Sequence, residues 1–599
     1  MSIDVRCLLL LLAFTCTAIA QDAFRDRAET EEIIYFVLPD RFENGNPAND
    51  RGGLAAGGRG ERLKHGFDPT SKAFFHGGDL QGLTARLDYI QALGATAVWL
   101  TPVFKNKPVQ GAPGQESAGY HGYWITDFTS VDPHLGDEAQ MQAFVRAAHG
   151  RGMKVYLDII ANHTADVIAY RECPTDSCPY HSRADYPYSR RGGLQGEPIN
   201  AGFTGDNFAQ LTRPDFAYTP YLPAGEERSK RPQWLNDPLL YHNRGNSTFA
   251  GESSEMGDFV GLDDLMTENP RVVQGMIEIY GRWIDQYGVD GFRIDTARHV
   301  NAEFWQAFVP AILQRAAAQG IPHFHIFGEV STSDIDTALL ARYTREAKLP
   351  AVLDFAFAAA VRATVAGDAG TDKLARLFAD DVLYEGGEKA ALQLPTFISN
   401  HDAGRFAYYV RKALPQASDD EVLRRVLLAH AMLFTLRGVP VVYYGDEQGF
   451  TGVGGDQDAR QDMMTSQTPS YLADRRIGKP DPQQSNFDLN HPIARAIAQL
   501  SALRRANAAL RSGRQVVRNA AESPGLFAVS RLDPATGREI AIAFNTSLQP
   551  IATTMEVDAR SRGFTALYGR CESDVVAPGA YRVVLAPLDF VVCAAGDGT

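Results

Sequence analysis

The chain has 599 residues, 45 % hydrophobic, 10 % aromatic and 22 % charged, the balance of a folded globular protein rather than a disordered or fibrous one. Lys and Arg number 58 against 72 Asp and Glu, a net charge of −14. Such an acidic chain has no general attraction for phosphate backbones or anionic lipid, so nucleic acid and membrane surfaces recede as partners.

In chain order, Arg6, the apolar run Leu8–Leu12 and the ending Thr17-Ala18-Ile19-Ala20 have the form of a secretory signal peptide cut after Ala20. That run is too short to span a bilayer, and no later run reaches the roughly 18 apolar residues a span needs. Of six cysteines, Cys7 and Cys16 fall in this leader. The other four, Cys173, Cys178, Cys571 and Cys593, allow three pairings; sequence proximity favours Cys173 with Cys178 and Cys571 with Cys593. No C-x-x-C pair supports zinc, so disulfides in an oxidising compartment are expected.

Eight short apolar runs follow, with helical patterns between them: Ile33–Leu38, Thr96–Pro102, Met153–Ile160, Val289–Asp295, His323–Val330, Leu353–Phe357, Pro395–Asn400 and Val439–Tyr444. Glu138–His149, closed by Gly150, and Arg271–Gln286, opened by Pro270, read as amphipathic helices. Continuous apolar strands alternating with helices predict a parallel sheet buried on both faces, and eight of them predict a (β/α)8 barrel. Residues 161–261, rich in Pro, Gly, Asn and Tyr, are too long for a connection and predict a domain inserted after strand three. Helical periodicity stops near Arg511. Phe527–Ser530, Glu539–Phe544 and Arg582–Leu585 then predict a C-terminal antiparallel β-sandwich over 511–599. The expected division is a leader (1–20), a TIM barrel in two parts (21–160 and 262–510), the insert and the sandwich.

Polar residues gather at the predicted strand ends. Strand three ends Asp158-Ile-Ile-Ala-Asn162-His163, and strand four ends Gly291-Phe-Arg293-Ile-Asp295, followed by Arg298-His299. Strand five ends Gly328-Glu329-Val330, and strand seven ends Phe397-Ile-Ser-Asn400-His401-Asp402. One carboxylate at a strand end often only caps a helix. Three of them, at strands four, five and seven, converge on one barrel mouth.

These motifs, with Gly261-Leu-Asp-Asp264-Leu265, resemble the α-amylase family of glycoside hydrolases in order and spacing, from about Ile33 into the sandwich. The resemblance implies Asp295 as nucleophile, Glu329 as general acid/base and Asp402 as the carboxylate that holds the sugar hydroxyls, with retention through a covalent glycosyl intermediate. Arg293, two residues before Asp295 on a strand, points to the same side and is expected to keep it ionised. Glu329, among apolar neighbours and other carboxylates, is expected to have a raised pKa. Tyr120-His121-Gly-Tyr123-Trp124 resembles the loop whose tyrosine stacks on the sugar before the cut. His163 and His401 match histidines that bond the same sugar. Arg298 stands where amylases most often have lysine and changes the reach toward the acceptor sugar. Arg405 resembles an arginine further along the donor side in cyclodextrin-forming relatives.

The resemblance also implies calcium, which tolerates irregular oxygen coordination. Asn162, Asp264 and the carbonyl of His299 match the ion that pins the insert to the barrel. Asn44, Asn46, Asn49, Asp50, Gly77 and Asp79 resemble the N-terminal calcium loop of cyclodextrin glucanotransferases, with Asn44 where Asp is usual. Met266 departs from a common Asp or Asn. Region two lacks the Asn-Glu pair of cyclodextrinases and neopullulanases. The expected protein is a secreted, monomeric, calcium-containing α-amylase acting on internal α-1,4 bonds of starch and maltooligosaccharides, with neither a nucleic-acid partner nor a membrane anchor. The alternative is a maltogenic or cyclodextrin-degrading amylase with transglycosylation. A non-catalytic barrel, like the transporter-associated heavy chains, fits poorly because the catalytic trio is complete.

Overall fold

The structure, a computed structural model, describes residues 23–54, 61–175, 177–478 and 481–596. The signal peptide expected over residues 1–20 lies outside the described residues.

Eight parallel strands form one sheet: β1 (Ile34–Val37), β2 (Ala97–Leu100), β3 (Lys154–Ile159), β4 (Gly291–Ile294), β5 (His325–Gly328), β6 (Ala351–Val352), β7 (Pro395–Thr396) and β8 (Val439–Tyr443). Their order is β6-β5-β4-β3-β2-β1-β8-β7. Asp354 closes the ring: its N–H donates to Pro395 O at 2.9 Å and it bridges Thr396. Every residue of these strands is buried, which explains why they read as largely apolar runs.

Helices cover the outside. Helix α1 (Glu138–His149) starts with a capping box between Asp137 and Gln140. Helix α2 (Pro270–Tyr287) has Asn269 as N-cap, and Gly288 ends it in the left-handed conformation, φ 66°. Its buried face carries Val272, Met276, Ile279 and Trp283. Trp283 Nε1 donates to Phe128 O at 2.8 Å, so the polar end of the ring is satisfied inside the core.

Two predicted strands are corrected. Leu353–Phe357 is mostly not a strand: β6 ends at Val352, and Phe355–Val361 is a helix. Asp354 caps it by accepting from the Phe357 N–H at 2.8 Å, and the alanine-rich Phe-Ala-Phe-Ala-Ala-Ala run favours helix. Strand seven shrinks to Pro395–Thr396. The rest turns into a loop, where Asn400 Oδ1 accepts from the N–H of Asp402 at 3.1 Å and of Ala403 at 2.5 Å.

Between β3 and α2 the described chain forms two-residue pairings, Ala169–Tyr170 with Pro220–Tyr221 and His163–Thr164 with Asp263–Asp264, besides isolated bridges and short helical turns. This segment has a small core of Ile199, Leu211, Phe216 and Ala217 under Met266. A fully buried Lys230–Asp263 ion pair ties it to the segment leading into α2. Beyond α3 (Pro492–Ala506) the C-terminal region has antiparallel strands β9 (Arg514–Asn519), β10 (Leu526–Leu532), β11 (Glu539–Asn545), β12 (Ile551–Glu556), β13 (Phe564–Tyr568), β14 (Ala580–Leu585) and β15 (Phe590–Ala595). They form sheets β9-β10-β11-β15-β13 and β12-β14, packed over Ala541, Ala543, Met555, Val583 and Val591. Cys173–Cys178 and Cys571–Cys593 are disulfide-bonded.

At the N-terminal end of the barrel, charges are paired. Arg25 Nε donates to Asp290 Oδ1 at 3.0 Å, and His149 Nε2 meets Asp290 Oδ2 at 2.7 Å. Arg27 Nη2 and Lys154 Nζ each reach Glu32 at 3.1 Å.

Candidate active site

At the opposite end, where the strands finish, lies a cleft of about 510 Å³ whose walls include Tyr123, His163, Asp295, Arg298, Glu329 and Asp402. Arg293 is its hub. Nη1 donates to Asp158 Oδ1 at 2.7 Å, to Asp158 Oδ2 at 2.8 Å and to Asp295 Oδ1 at 2.7 Å. Nη2 meets Glu329 Oε2 at 2.9 Å. Strand geometry explains the grouping: Arg293 pairs in register with Asp158 on β3, while Asp295 and Glu329 directly follow β4 and β5.

One guanidinium therefore faces three buried carboxylates. Burial pushes Asp158 up to about 7, against the pull of Arg293. Burial also raises Glu329, with Arg293 opposing and Asp402 adding to the rise. The expectation that Arg293 keeps Asp295 ionised needs correction. Burial drives Asp295 well above the usual carboxylate range; Arg293 pulls down, but Glu329, Asp158 and Asp402 push further up. Protons on this group are shared rather than owned.

Asp402 has a more open setting, its side chain 46 % exposed. Burial acts upward on it, but His401 and Arg460 outweigh that and hold it below its ordinary value. Arg460 Nη2 donates to Asp402 Oδ1 at 2.9 Å and also meets Asp456 Oδ1 at 2.7 Å.

The aromatic and histidine residues surround this group. Tyr123 OH lies 2.6 Å from His401 Nε2 and donates to Asp158 Oδ2 at 3.1 Å. His401 sits behind Tyr123 and Asp402, and burial lowers its pKa to about 3, so it is neutral. His163 Nε2 reaches Tyr123 O at 3.1 Å, and burial lowers its pKa to about 4. Arg298 Nη1 donates to Ser331 O at 2.6 Å on the wall beside Glu329.

Arg405 is not brought to the cleft. It is fully buried, bonded to Gln461 Oε1 (2.7 Å), Tyr444 O (2.9 Å), Asp446 Oδ1 (2.8 Å) and Ala459 O (3.1 Å). With four of its five N–H donors engaged and the side chain fully buried, its guanidinium does not reach a sugar in the cleft. Besides Arg298, the arginine that lines the cleft is Arg460, which sequence reasoning missed. Asp158 was also given no role, although a lone carboxylate inside an unbroken apolar strand was a readable signal.

The two groups of expected calcium ligands differ. In the N-terminal loop, Asn44 Oδ1 and Asn49 Oδ1 are buried without hydrogen-bond partners. Gly77, φ +96°, comes so close that a Cβ there would lie 2.8 Å from Asp50 Oδ1. Asp79 caps the next helix, accepting from the N–H groups of Gly82 (2.7 Å), Gly45 (3.2 Å) and Asn46 (2.8 Å). Asn46 Oδ1 instead accepts from Ala48 N–H at 3.3 Å, within its own turn. Partnerless buried oxygens beside a carboxylate fit a hard cation. At the insert, Asp264 pairs in register with His163, next to Asn162, and His299 Nδ1 meets Ser254 O at 2.8 Å. Here oxygens are already engaged: Asp264 Oδ2 by His242 Nδ1 at 2.5 Å, and Asn162 Oδ1 by Thr296 Oγ1 at 2.7 Å. That set is therefore less free to take a cation than the N-terminal loop.

A sequence profile described as the catalytic domain of alpha amylase matches residues 36–486. The chain belongs to the α-amylase family. It is 45 % identical over 511 residues to an α-amylase of Streptomyces lividans, covering 85 % of this chain and 55 % of that protein. The chain thus spans about half the length of that relative. An α-amylase structure from Anoxybacillus superposes with a TM-score of 0.67 at 26 % identity, covering 96 % of this chain and 100 % of that one. CldA, described as a cyclomaltodextrin glucanotransferase with a three-domain ABC distribution, superposes with a TM-score of 0.70 at 25 % identity, covering 94 % and 99 %.

Proposed function

We propose that the chain is a retaining glycoside hydrolase that cleaves internal α-1,4-glucosidic bonds of starch and maltooligosaccharides, and that it is exported. The observation that carries this reading is the single Arg293 guanidinium bonded to Asp295 and Glu329 on a barrel of the α-amylase family. In the first step Asp295 attacks the anomeric carbon while Glu329 passes its proton to the leaving glycosidic oxygen, and the C–O bond breaks. A glycosyl–Asp295 ester results. Glu329, now a base, takes a proton from the attacking water, the ester bond breaks, and the sugar leaves with its configuration retained. The raised pKa values suit this sequence. Positive charge developing on the sugar ring favours ionised Asp295, and the proton shared with Glu329 then rests where the leaving oxygen needs it. Asp402, held ionised, accepts from sugar hydroxyls, and Tyr123 offers its ring, braced by neutral His401 at its hydroxyl and neutral His163 at its carbonyl.

The division into barrel, insert (161–261) and sandwich (511–599) belongs to this proposal. Export is supported by the two disulfides, and among the described residues no helix is long and apolar enough to cross a membrane. Calcium in the N-terminal loop, on Asn44, Asn49, Asp50 and the Gly77 backbone, would supply rigidity rather than chemistry. The second reading, transfer or cyclodextrin cleavage, is favoured by one observation: CldA matches this fold with three domains, so domain number does not separate the two. Product analysis on starch, cyclodextrin and pullulan decides. Rapid loss of iodine staining with mixed oligosaccharides is expected; faster cleavage of cyclodextrin than of starch would favour the second reading.

A further inference from the structure

Thr296 follows the expected nucleophile, and its backbone is in the left-handed region, φ 46°, ψ 39°. For a β-branched residue that conformation is a true outlier, because Cβ crowds the neighbouring carbonyl. Such a residue persists only where its surroundings over-determine it, and outliers of this kind gather at functional sites. Glycine would take the same conformation without strain, so a threonine here points to a use for its side chain.

The bonds around it show what the conformation does. Asp295 N–H continues the sheet ladder to Ile159 O at 2.8 Å, and Glu329 N–H continues it to Ile294 O at 2.8 Å. At Thr296 the ladder breaks. The left-handed turn swings its N–H out of the sheet and onto Glu329 Oε2 at 3.0 Å, the oxygen that also meets Arg293 Nη2 at 2.9 Å. The Thr296 hydroxyl donates to Asn162 Oδ1 at 2.7 Å. Asn162 is fixed in turn: its carbonyl accepts from Leu265 N–H at 2.8 Å, joining the end of β3 to the Asp263–Asp264 strand.

We propose that Thr296 is a positioning residue for the acid/base: its left-handed backbone aims one N–H at Glu329 Oε2, and its hydroxyl, anchored on Asn162, holds that conformation against its own strain. This rests on the assignment of Glu329 as acid/base proposed above. The other charged groups facing Glu329 are Asp158 from β3, Arg293 and Asp295 from β4, Arg298 from the turn after it, and Asp402 from the loop after β7. Against that background the Thr296 N–H favours the ionised carboxylate, and releasing it moves the Glu329 pKa upward.

The test uses the full chain with Thr296→Ser, Thr296→Val and Thr296→Gly. Two readouts are followed: the pH dependence of kcat/KM on a maltooligosaccharide, and the infrared titration of the Glu329 carboxyl, isolated by difference against Glu329→Gln. Serine keeps the anchor and is expected to stay within about threefold of wild type, whereas valine keeps the strain, loses the anchor and is expected to lower kcat by about tenfold or more. In valine the alkaline limb and the infrared titration shift to higher pH; glycine takes the conformation without strain, keeps the N–H on Glu329 and is expected to titrate close to wild type. If valine fails to fold, Thr296→Ala, which also loses the hydroxyl and is strained in the left-handed region, carries the test. The proposal is overturned if the titration in the valine or alanine variant superimposes on wild type, if serine fails as badly as valine, or if only the melting temperature moves. The infrared titration needs no turnover, so inactivity of the wild type on α-glucans would fail the functional reading and leave this test standing.

Discussion

The two ends of the barrel treat buried charge in opposite ways. At the N-terminal end Asp290 and Glu32 are each met by two donor side chains, Arg25 with the His149 ring and Arg27 with Lys154. At the C-terminal end three buried carboxylates, Asp158, Asp295 and Glu329, converge on one guanidinium. Charge matched at burial tightens the fold; charge left unmatched raises pKa values and makes a proton easy to move. The same strands therefore carry a structural end and a chemical end, told apart by ion balance rather than by burial.

The largest effect expected from this contrast is at the mouth. Asp295→Asn or Glu329→Gln should lower kcat by roughly 10⁴-fold or more, because each removes a group that acts on the reacting atoms. Either change also relieves carboxylate crowding, so the melting temperature should hold or rise. At the floor the pattern should invert. Asp290→Asn strands Arg25 and His149 and should cost about 3–5 kcal/mol in denaturant unfolding, with kcat at low temperature unchanged. A floor variant that kept its stability but lost turnover would break the comparison.

Two arginines sharpen it. Arg405→Met should destabilise by about 3–5 kcal/mol, because it leaves buried Asp446 without its cation, while kinetic constants stay near wild type. Arg460→Met should instead lower kcat/KM by about ten- to a hundredfold at nearly constant stability, because Asp402 loses the partner that orients it.

The smallest effect concerns Glu447, a buried carboxyl held by the Tyr35 and Tyr89 hydroxyls at 2.7 and 3.0 Å. Burial raises it from 4.5 to about 7. Between those values the folded chain keeps a proton that the unfolded chain has lost. Its contribution is whole below about pH 4.5 and is lost as pH rises through about 7, on the order of 3 kcal/mol in all. Glu447→Gln should flatten the fall in unfolding free energy between pH 5 and pH 8 relative to wild type.

How far the sequence carried these conclusions depended on the range of each signal. Strands such as Ile34–Val37 and Ala97–Leu100 were legible because burial on both faces writes an unbroken apolar run. Leu353–Phe357 misled because a short apolar run does not say whether it is strand or helix; the cap at Asp354 decides, and the run after it is alanine-rich. Asp295, Glu329 and Asp402 were legible because strand ends share one mouth in a barrel. Which of Arg405 and Arg460 faces that mouth was not, because it depends on where the loop after β8 folds back, a contact between distant segments. The strain at Thr296 was invisible as well, since no residue pattern around it announces a positive φ.

The central claim is that Asp295 forms the bond to the sugar. It is tested most directly by incubating the protein, in wild-type and Glu329→Gln forms, with a fluorinated maltosyl fluoride that slows release of the intermediate. Mass spectrometry of the intact chain and of its peptides then locates any adduct. One maltosyl adduct on the peptide bearing Asp295, absent in Asp295→Asn, is the expected result. An adduct on Glu329 or Asp402, or steady turnover of the reagent with no adduct on any peptide, would contradict the account.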